Sequence, residues 1–198
     1  MTDINLEIAD LNLLFQQITM DILGYDYVAN QDAAAYAVRI GWPTEGAPAF
    51  KIDEDIAFIT VVEKDSSYNR QREMKMTDLP NYNLNMETGH TRVVGVNWVF
   101  YGPNSFARAQ AVMDDIFYPE TQWLLNNSNL YLIPDISSPI RIPELFQSRW
   151  WERTDLKMLF NELVIRNKTI RAITSVEAIV ENDEGITADV DISIEVNP

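Results

Sequence analysis

The residue types that could carry out bond-breaking chemistry are few in this sequence, and they are poorly grouped. His90 is the single histidine. It sits between Gly89 and Thr91 in what reads as a loop, and no serine stands in a nucleophile-elbow context that would pair with it. The chain has no cysteine, which excludes disulfides, thiolate nucleophiles and cysteine metal sites. Asp53-Glu54-Asp55 and Asp114-Asp115 are adjacent carboxylates. Neighbours in a strand point to opposite faces and neighbours in a helix diverge by about 100°, so neither group converges on one ion. Glu181-Asn-Asp-Glu-Gly185 lacks the alternating oxygen ligands and distal glutamate of a calcium loop and reads as a hairpin turn. The sequons at Asn126 and Asn167 carry weight only along a secretory route. The seven glycines are scattered, with no phosphate-cradling loop among them. No catalytic, metal or cofactor residue is nominated, and a non-enzyme is expected.

Other residues are better suited to touching proteins. Arg149-Trp150-Trp151-Glu152-Arg153 enters an apolar run with Leu156, Met158 and Phe160. Two consecutive tryptophans in a strand place one ring inward and one outward. The outward ring, flanked by arginines, has the composition of an interface hot spot, with cation–π packing on a local arginine as the alternative. The net charge of −15 is unevenly spread. Residues 141–171 hold seven Lys/Arg against four Asp/Glu, whereas residues 172–198 hold seven Asp/Glu and no Lys or Arg. These are either two solvated faces of one sheet or the two sides of an oriented subunit contact. On the second reading Arg149, Trp151, Arg153 and Lys157 form the basic side, opposed by Asp189, Asp191 and Glu195. So acidic a chain repels nucleic acid unless its cations are segregated.

The elements that must position these groups are legible from periodicity. Ile4, Ile8, Leu11, Phe15, Ile18 and Ile22 line one face of a helix over 4–23, with Asp3 as N-cap and Gly24 as stop. Residues 35–42 alternate as a half-buried strand with Arg39 outward, broken by Pro43, Gly46 and Pro48. Residues 55–63 read as a more central strand. From 64 to 91 the chain turns polar and lacks periodicity, the pattern of a long functional loop or insert. Residues 92–101 place Val94, Val96, Trp98 and Phe100 on one side of a third strand. After Tyr101-Gly102-Pro103 follows a helix with Phe106, Ala109, Met113 and Ile116/Phe117 on its stripe. A short helix at 120–125, a strand at 130–133, a proline-broken connection over 134–146 and strands within 149–166, near 170–180 and at 186–196 complete the chain. The expectation is one α+β domain over 1–198: a mixed or antiparallel sheet flanked by two main helices and closed by a C-terminal β-hairpin. No apolar run approaches the ~20 residues that cross a bilayer. The acidic start Met1-Thr-Asp-Ile-Asn-Leu-Glu7 lacks the basic opening of a secretory signal, so folding in the cytosol is expected.

Taken in order, helix, three strands, helix and terminal strands, with Tyr101-Gly102 before the helix of 107–117, the chain resembles the tail-terminator and neck-terminator proteins of long-tailed bacteriophages. The resemblance extends to Ile142-Pro-Glu-Leu-Phe-Gln-Ser-Arg-Trp-Trp-Glu-Arg153 entering a strand and a closing hairpin, and covers residues 5–196. It implies a structural virion protein. Copies would form a hexameric ring that caps the head-proximal end of the tail tube, stops its polymerisation and joins the tail to the head. The implied partners are further copies of the chain, the tail tube protein and a head-completion or neck connector protein. DNA would pass through the lumen without sequence-specific contact, and no membrane is involved. Other neck, connector or baseplate ring subunits share these features. A small ligand-binding or enzyme domain, with a pocket behind the 64–91 loop, is the alternative from another class.

Overall fold

The computed structural model describes residues 3–25, 37–41, 50–173, 175–181 and 187–193. They form an α+β fold that separates into two compact units. The larger comprises Ile4–Gln71 and His90–Val164, the smaller Met1–Asp3, Arg72–Gly89 and Ile165–Pro198.

In the larger unit, strands β1 (Val38–Ile40), β2 (Ile56–Lys64), the distal part of β4 (Asn83–Tyr101), the leading part of β9 (Arg153–Arg171) and β5 (Leu130–Ile133) lie side by side in the order β1-β2-β4-β9-β5. Strand β6 (Ile140–Arg141) adds to β9. Strand β1 runs parallel to β2, while β2–β4 and β5–β9 are antiparallel. One face of this sheet is continuously apolar. Ala57, Ile59 and Val61 of β2, Val94, Val96, Trp98 and Phe100 of β4, and Leu156, Met158 and Phe160 of β9 are all buried in one cluster. The stripe expected on the third strand is therefore present, and the register sets Ile59 opposite Trp98.

Helix α1 (Ile8–Ile22) covers that face with Leu11, Phe15 and Ile18. Phe15 stands edge-on to Trp98, with ring centroids 6.0 Å apart, and lies 4.8 Å from Phe160. The buried indole stays satisfied: its Nε1–H donates to Thr19 Oγ1 at 2.8 Å, and that hydroxyl donates to the Phe15 carbonyl at 2.6 Å. The helix begins four residues later than its apolar spacing suggests, with Glu7 rather than Asp3 as N-cap and Asp10 completing a capping box. The reason lies across the sheet. The Leu6 N–H donates to Glu162 Oε1 at 3.2 Å and the Leu6 carbonyl accepts from Arg92 at 2.7 Å, so the segment is held out of the helix. Glu162, only 1% exposed, takes two further bonds from the Arg92 guanidinium at 2.6 and 2.9 Å.

Helix α3 (Ser105–Asp115) shares the core through Ala109, Val112 and the following Ile116. Its buried stripe is rotated from the expected one, since Phe106 and Phe117 are exposed and Ser105 is buried. A buried hydrogen bond from Thr154 Oγ1 to Ser105 Oγ at 3.2 Å accounts for that rotation. Helix α4 (Pro119–Asn127) follows, with proline in its first turn where an N–H is not needed. The Tyr101-Gly102 joint has a direct physical cause. Gly102 has φ +105°, and a Cβ there would meet Asp55 Oδ1 and the Glu54 carbonyl at 2.5 Å. Asp55 in turn accepts from the Asn104 backbone and side chain at 2.9 and 2.8 Å, ahead of α3.

The polar stretch at 64–91 is not a loop. It holds a short helix α2 (Ser67–Arg70) and a hairpin of β3 (Glu73–Leu79) with β4, registered from Glu73 opposite Gly89 to Leu79 opposite Asn83. Strand β3 is exposed at every residue, so it carries no inward/outward alternation that sequence periodicity can detect. Within the smaller unit, Asn85 donates to Asn167 at 3.1 Å, the Asn167 N–H to Asp3 at 2.8 Å, and the Ala172 N–H to the Tyr82 carbonyl at 2.9 Å. The expected terminal hairpin is β10 (Ser175–Glu181) paired antiparallel with β11 (Thr187–Ser193). Its turn at 182–186, the loop containing Pro43, Gly46 and Pro48, and both Tyr36 and Trp42 lie outside the described residues.

Removing one partner of a buried, hydrogen-bonded charge pair leaves the other uncompensated. Glu162→Ala should therefore lower unfolding free energy by about 3–5 kcal/mol, and the double replacement of Arg92 and Glu162 by leucine should lose less, both read by denaturant unfolding. Gly102→Ala should destabilise by about 2 kcal/mol or more, read the same way, because it adds both a disfavoured backbone angle and a clash.

Candidate functional site

The sheet face opposite α1 is finished at one end by aromatic rings. Phe58 and Tyr101 alternate with the core residues Ile59 and Phe100 and so point away from the helices. Phe50 bridges them, with its ring centroid 5.7 Å from Phe58 and 5.5 Å from Tyr101. Arg39, expected outward and solvated, is instead buried with its guanidinium 5.9 Å over the Phe50 ring. Burial lowers its pKa, an effect opposed by Glu54.

Onto these rings folds a hairpin, β7 (Glu144–Phe146) with β8 (Arg149–Trp151), in place of a plain extended connection. Its two-residue turn has Gln147 at φ 47° and Ser148 at φ 63°, the left-handed geometry of a tight hairpin without the usual Asn-Gly. That missing signal is why the hairpin is not visible from sequence. Trp151 is the inward tryptophan. Its ring lies 5.2 Å from Phe50, 5.9 Å from Phe146 and 6.4 Å from Tyr101. Its Nε1 has no hydrogen-bond partner among the described residues. Trp150 is the outward one, 67% exposed, and sits opposite the exposed Leu145 across the hairpin.

A polar network ties the hairpin down. The Tyr101 hydroxyl donates to Glu144 at 2.7 Å, Arg153 donates to the same Glu144 oxygen at 3.2 Å, and Arg153 grips Asp155 at 2.7 and 2.9 Å. Burial, reinforced by the bond to Glu144, pushes the Tyr101 hydroxyl up from its ordinary 10.0 to about 12. The bond from Tyr101, aided by Arg153 and against burial, holds the Glu144 carboxyl below its ordinary range. Hydrogen bonding to Asp155, above all, raises the Arg153 pKa.

The nominated contact residues thus fall into different classes. Arg153 and Trp151 serve the subunit's own packing, whereas Arg149 and Lys157 are exposed and join no ion pair among the described residues. Asp189 and Asp191 lie on β11, opposite Ile179 and Glu177, and Glu195 lies outside the described residues. His90, read as a loop residue, lies in β4. Asp55 of the acidic triplet is a local anchor, bound to Asn104 and 3.5 Å from Arg108.

The helical side carries a second surface that sequence reasoning missed. A groove of about 540 Å³ opens between the end of α1 and the start of α4, lined by Ile18, Asp21, Pro119, Glu120, Thr121, Trp123 and Leu124. Trp123 is 65% exposed, and Phe117 and Tyr118, just ahead of α4 in the chain, are exposed too. Its signal was weak because α4 is short and its aromatic residue lies off the buried stripe, which is Leu125 alone. Among the described residues no helix is long and apolar enough to cross a membrane, and no group of three or more metal-ligating side chains is gathered.

Exposed aromatic side chains on both sides of the sheet are of the kind that contacts between proteins use. The sequence matches the family model of the phage neck terminator protein over residues 9–187, and the chain belongs to that family. It is a structural component of the bacteriophage tail and neck. No match to a curated protein was found.

The neutral Tyr101 phenol is favoured by folding, so its contribution to stability is complete below pH 10 and is lost as pH rises towards 12. Wild-type chain should lose stability across that window by more than Tyr101→Phe does, as measured by unfolding midpoints at stepped alkaline pH.

Proposed function

We propose that the chain is a terminator subunit whose copies close into a ring, six in number, at the head-proximal end of the tail tube. The ring halts tube polymerisation and presents a docking surface for a head-completion or connector protein. DNA passes through its bore held by no sequence-specific contact, consistent with a net charge of −15 per copy. The observation that carries this reading is the family match over residues 9–187. The physical properties of the chain support it, because a closed ring needs different patches on the two sides of each subunit. Among the nominated charges, Lys157 on β9 is exposed and available, with Asp189 and Asp191 on β11 of a neighbour as its counterparts. Arg149 is the other available cation. Arg153 and Trp151 act indirectly by holding the β7–β8 hairpin in place, and by sequence alone Glu195 counts with the acidic residues.

Light scattering over a concentration series, with negative-stain images of the same samples, tests the ring. The expected result is a mass near six subunits and annular particles, alone or once tail tubes are added. A strict monomer under both conditions contradicts the proposal. Lys157→Glu should raise the concentration needed for assembly by only about two- to fivefold, with an effect that shrinks in high salt, because exposed pairs contribute little.

A further inference from the structure

We infer that the ring is joined where the acidic face of the β10–β11 hairpin of one copy lies on the open, lysine-bearing face of the larger unit's sheet in the next. This rests on the ring reading above and names the two surfaces behind its Lys157 pairing.

The first surface follows from strand alternation. Leu156, Met158 and Phe160 of β9 are buried in the core cluster with α1, so Lys157, Leu159, Asn161 and Leu163 lie on the opposite face. The register of β5 continues that face, with Tyr131 beside Asn161 and Ile133 beside Leu159. Phe50 and the β7–β8 hairpin finish only the end at Phe58 and Tyr101. Away from that end the face is open: Tyr131 is 48% exposed, and Leu159 and Leu163 are 36% exposed. Lys64 brings a second cation to it. A Cβ at Gly95, which alternates with the core residues Val94 and Val96, would meet Lys64 Cε at 2.5 Å, so the lysine side chain lies across that glycine. Neither lysine joins an ion pair among the described residues, whereas the nearby carboxylates Glu144 and Asp155 are both taken up by Arg153.

Charge says what covers this face. Copies carrying −15 each repel one another, so a joint between them must bring opposite charges together. Residues 172–198 hold seven acidic residues and no Lys or Arg. The register of β10 with β11 gathers four of them. Glu177 stands opposite Asp191, Ile179 opposite Asp189 and Glu181 opposite Thr187, and positions two apart in a strand share a face. Like charges directly opposite each other, as Glu177 and Asp191 are, destabilise a strand pair. The hairpin contains no cation to relieve them, and Lys64 and Lys157 are cations without a partner among the described residues. The two surfaces differ, so each copy can use one on either side, which is the heterologous contact that closes rings.

The test uses full-length chain under the conditions in which wild type assembles. One variant carries Lys64→Glu and Lys157→Glu, the other Asp189→Lys and Asp191→Lys. Each alone should raise the concentration of half-assembly by about tenfold or more. The loss should shrink near 1 M salt, where charges are screened beyond about 3 Å. An equimolar mixture should recover rings, because each sheet then meets a hairpin of opposite charge on the other variant; a contact within one subunit would not be restored this way. Circular dichroism shows which variants are folded. Rings from both variants at the wild-type concentration would overturn this inference and leave the ring reading standing. Folded variants that fail alone and stay unassembled on mixing would overturn it as well. Should a reversed chain lose its fold, Lys64→Gln with Lys157→Gln and Asp189→Asn with Asp191→Asn replace the reversals, and unaltered assembly by both counts against the joint. A wild-type chain that assembles under no condition overturns both readings.

Discussion

The structure depends on one asymmetry: α1, α3 and α4 all pack on one face of the sheet. Trp98, Phe100, Ile59, Met158 and Phe160 need a full apolar cover, and α1, α3 and α4 supply it from a single side. The opposite face is finished differently. It is closed at one end by Phe50 and by a hairpin whose Trp151 packs on Phe50 and Tyr101. Burying aromatic area in this way contributes strongly to stability, and edge-on contacts of the kind Trp98 makes with Phe15 add to it. The consequence reaches beyond the core. Because the two faces are finished by different elements, each leaves a different remainder exposed, Trp150 on one side and the Trp123 groove on the other.

Part of the charge is used inside the subunit. The four acidic residues within the basic run of 141–171 are all engaged. Glu152 meets Arg141, Glu144 and Asp155 hold Arg153, and Glu162 is buried on Arg92. Ion pairs of this kind brace geometry: the Arg92–Glu162 pair holds the segment before α1 across the sheet, and the Arg153 cluster fixes the foot of the hairpin. Exposed pairs such as Arg141–Glu152 contribute little to stability, so their role is to neutralise rather than to bind.

Sequence and structure agree where a periodic apolar face meets a matching surface. The strand with Val94, Val96, Trp98 and Phe100 was readable for that reason. Reading failed where a non-local contact overrode periodicity. Leu6 is drawn out of the helix by Glu162 and Arg92, and α3 turns because Ser105 binds Thr154. It also failed where no face is buried, as in β3, and where an unusual turn, Gln147-Ser148, made a hairpin without its common residues. Of the candidate surfaces, the doubled tryptophan pointed to the right segment. Which ring faces outward depended on strand register and on Phe50, neither of which spacing reveals. The groove was invisible because its walls come from two helices about 100 residues apart in the chain.

The most direct measurement is native mass spectrometry of the chain across a concentration series, with electron microscopy of tail tubes to which it has been added. The proposed ring predicts one dominant species of six copies and an annular cap confined to one end of each tube. A chain that stays monomeric at every concentration and caps no tube end would contradict it.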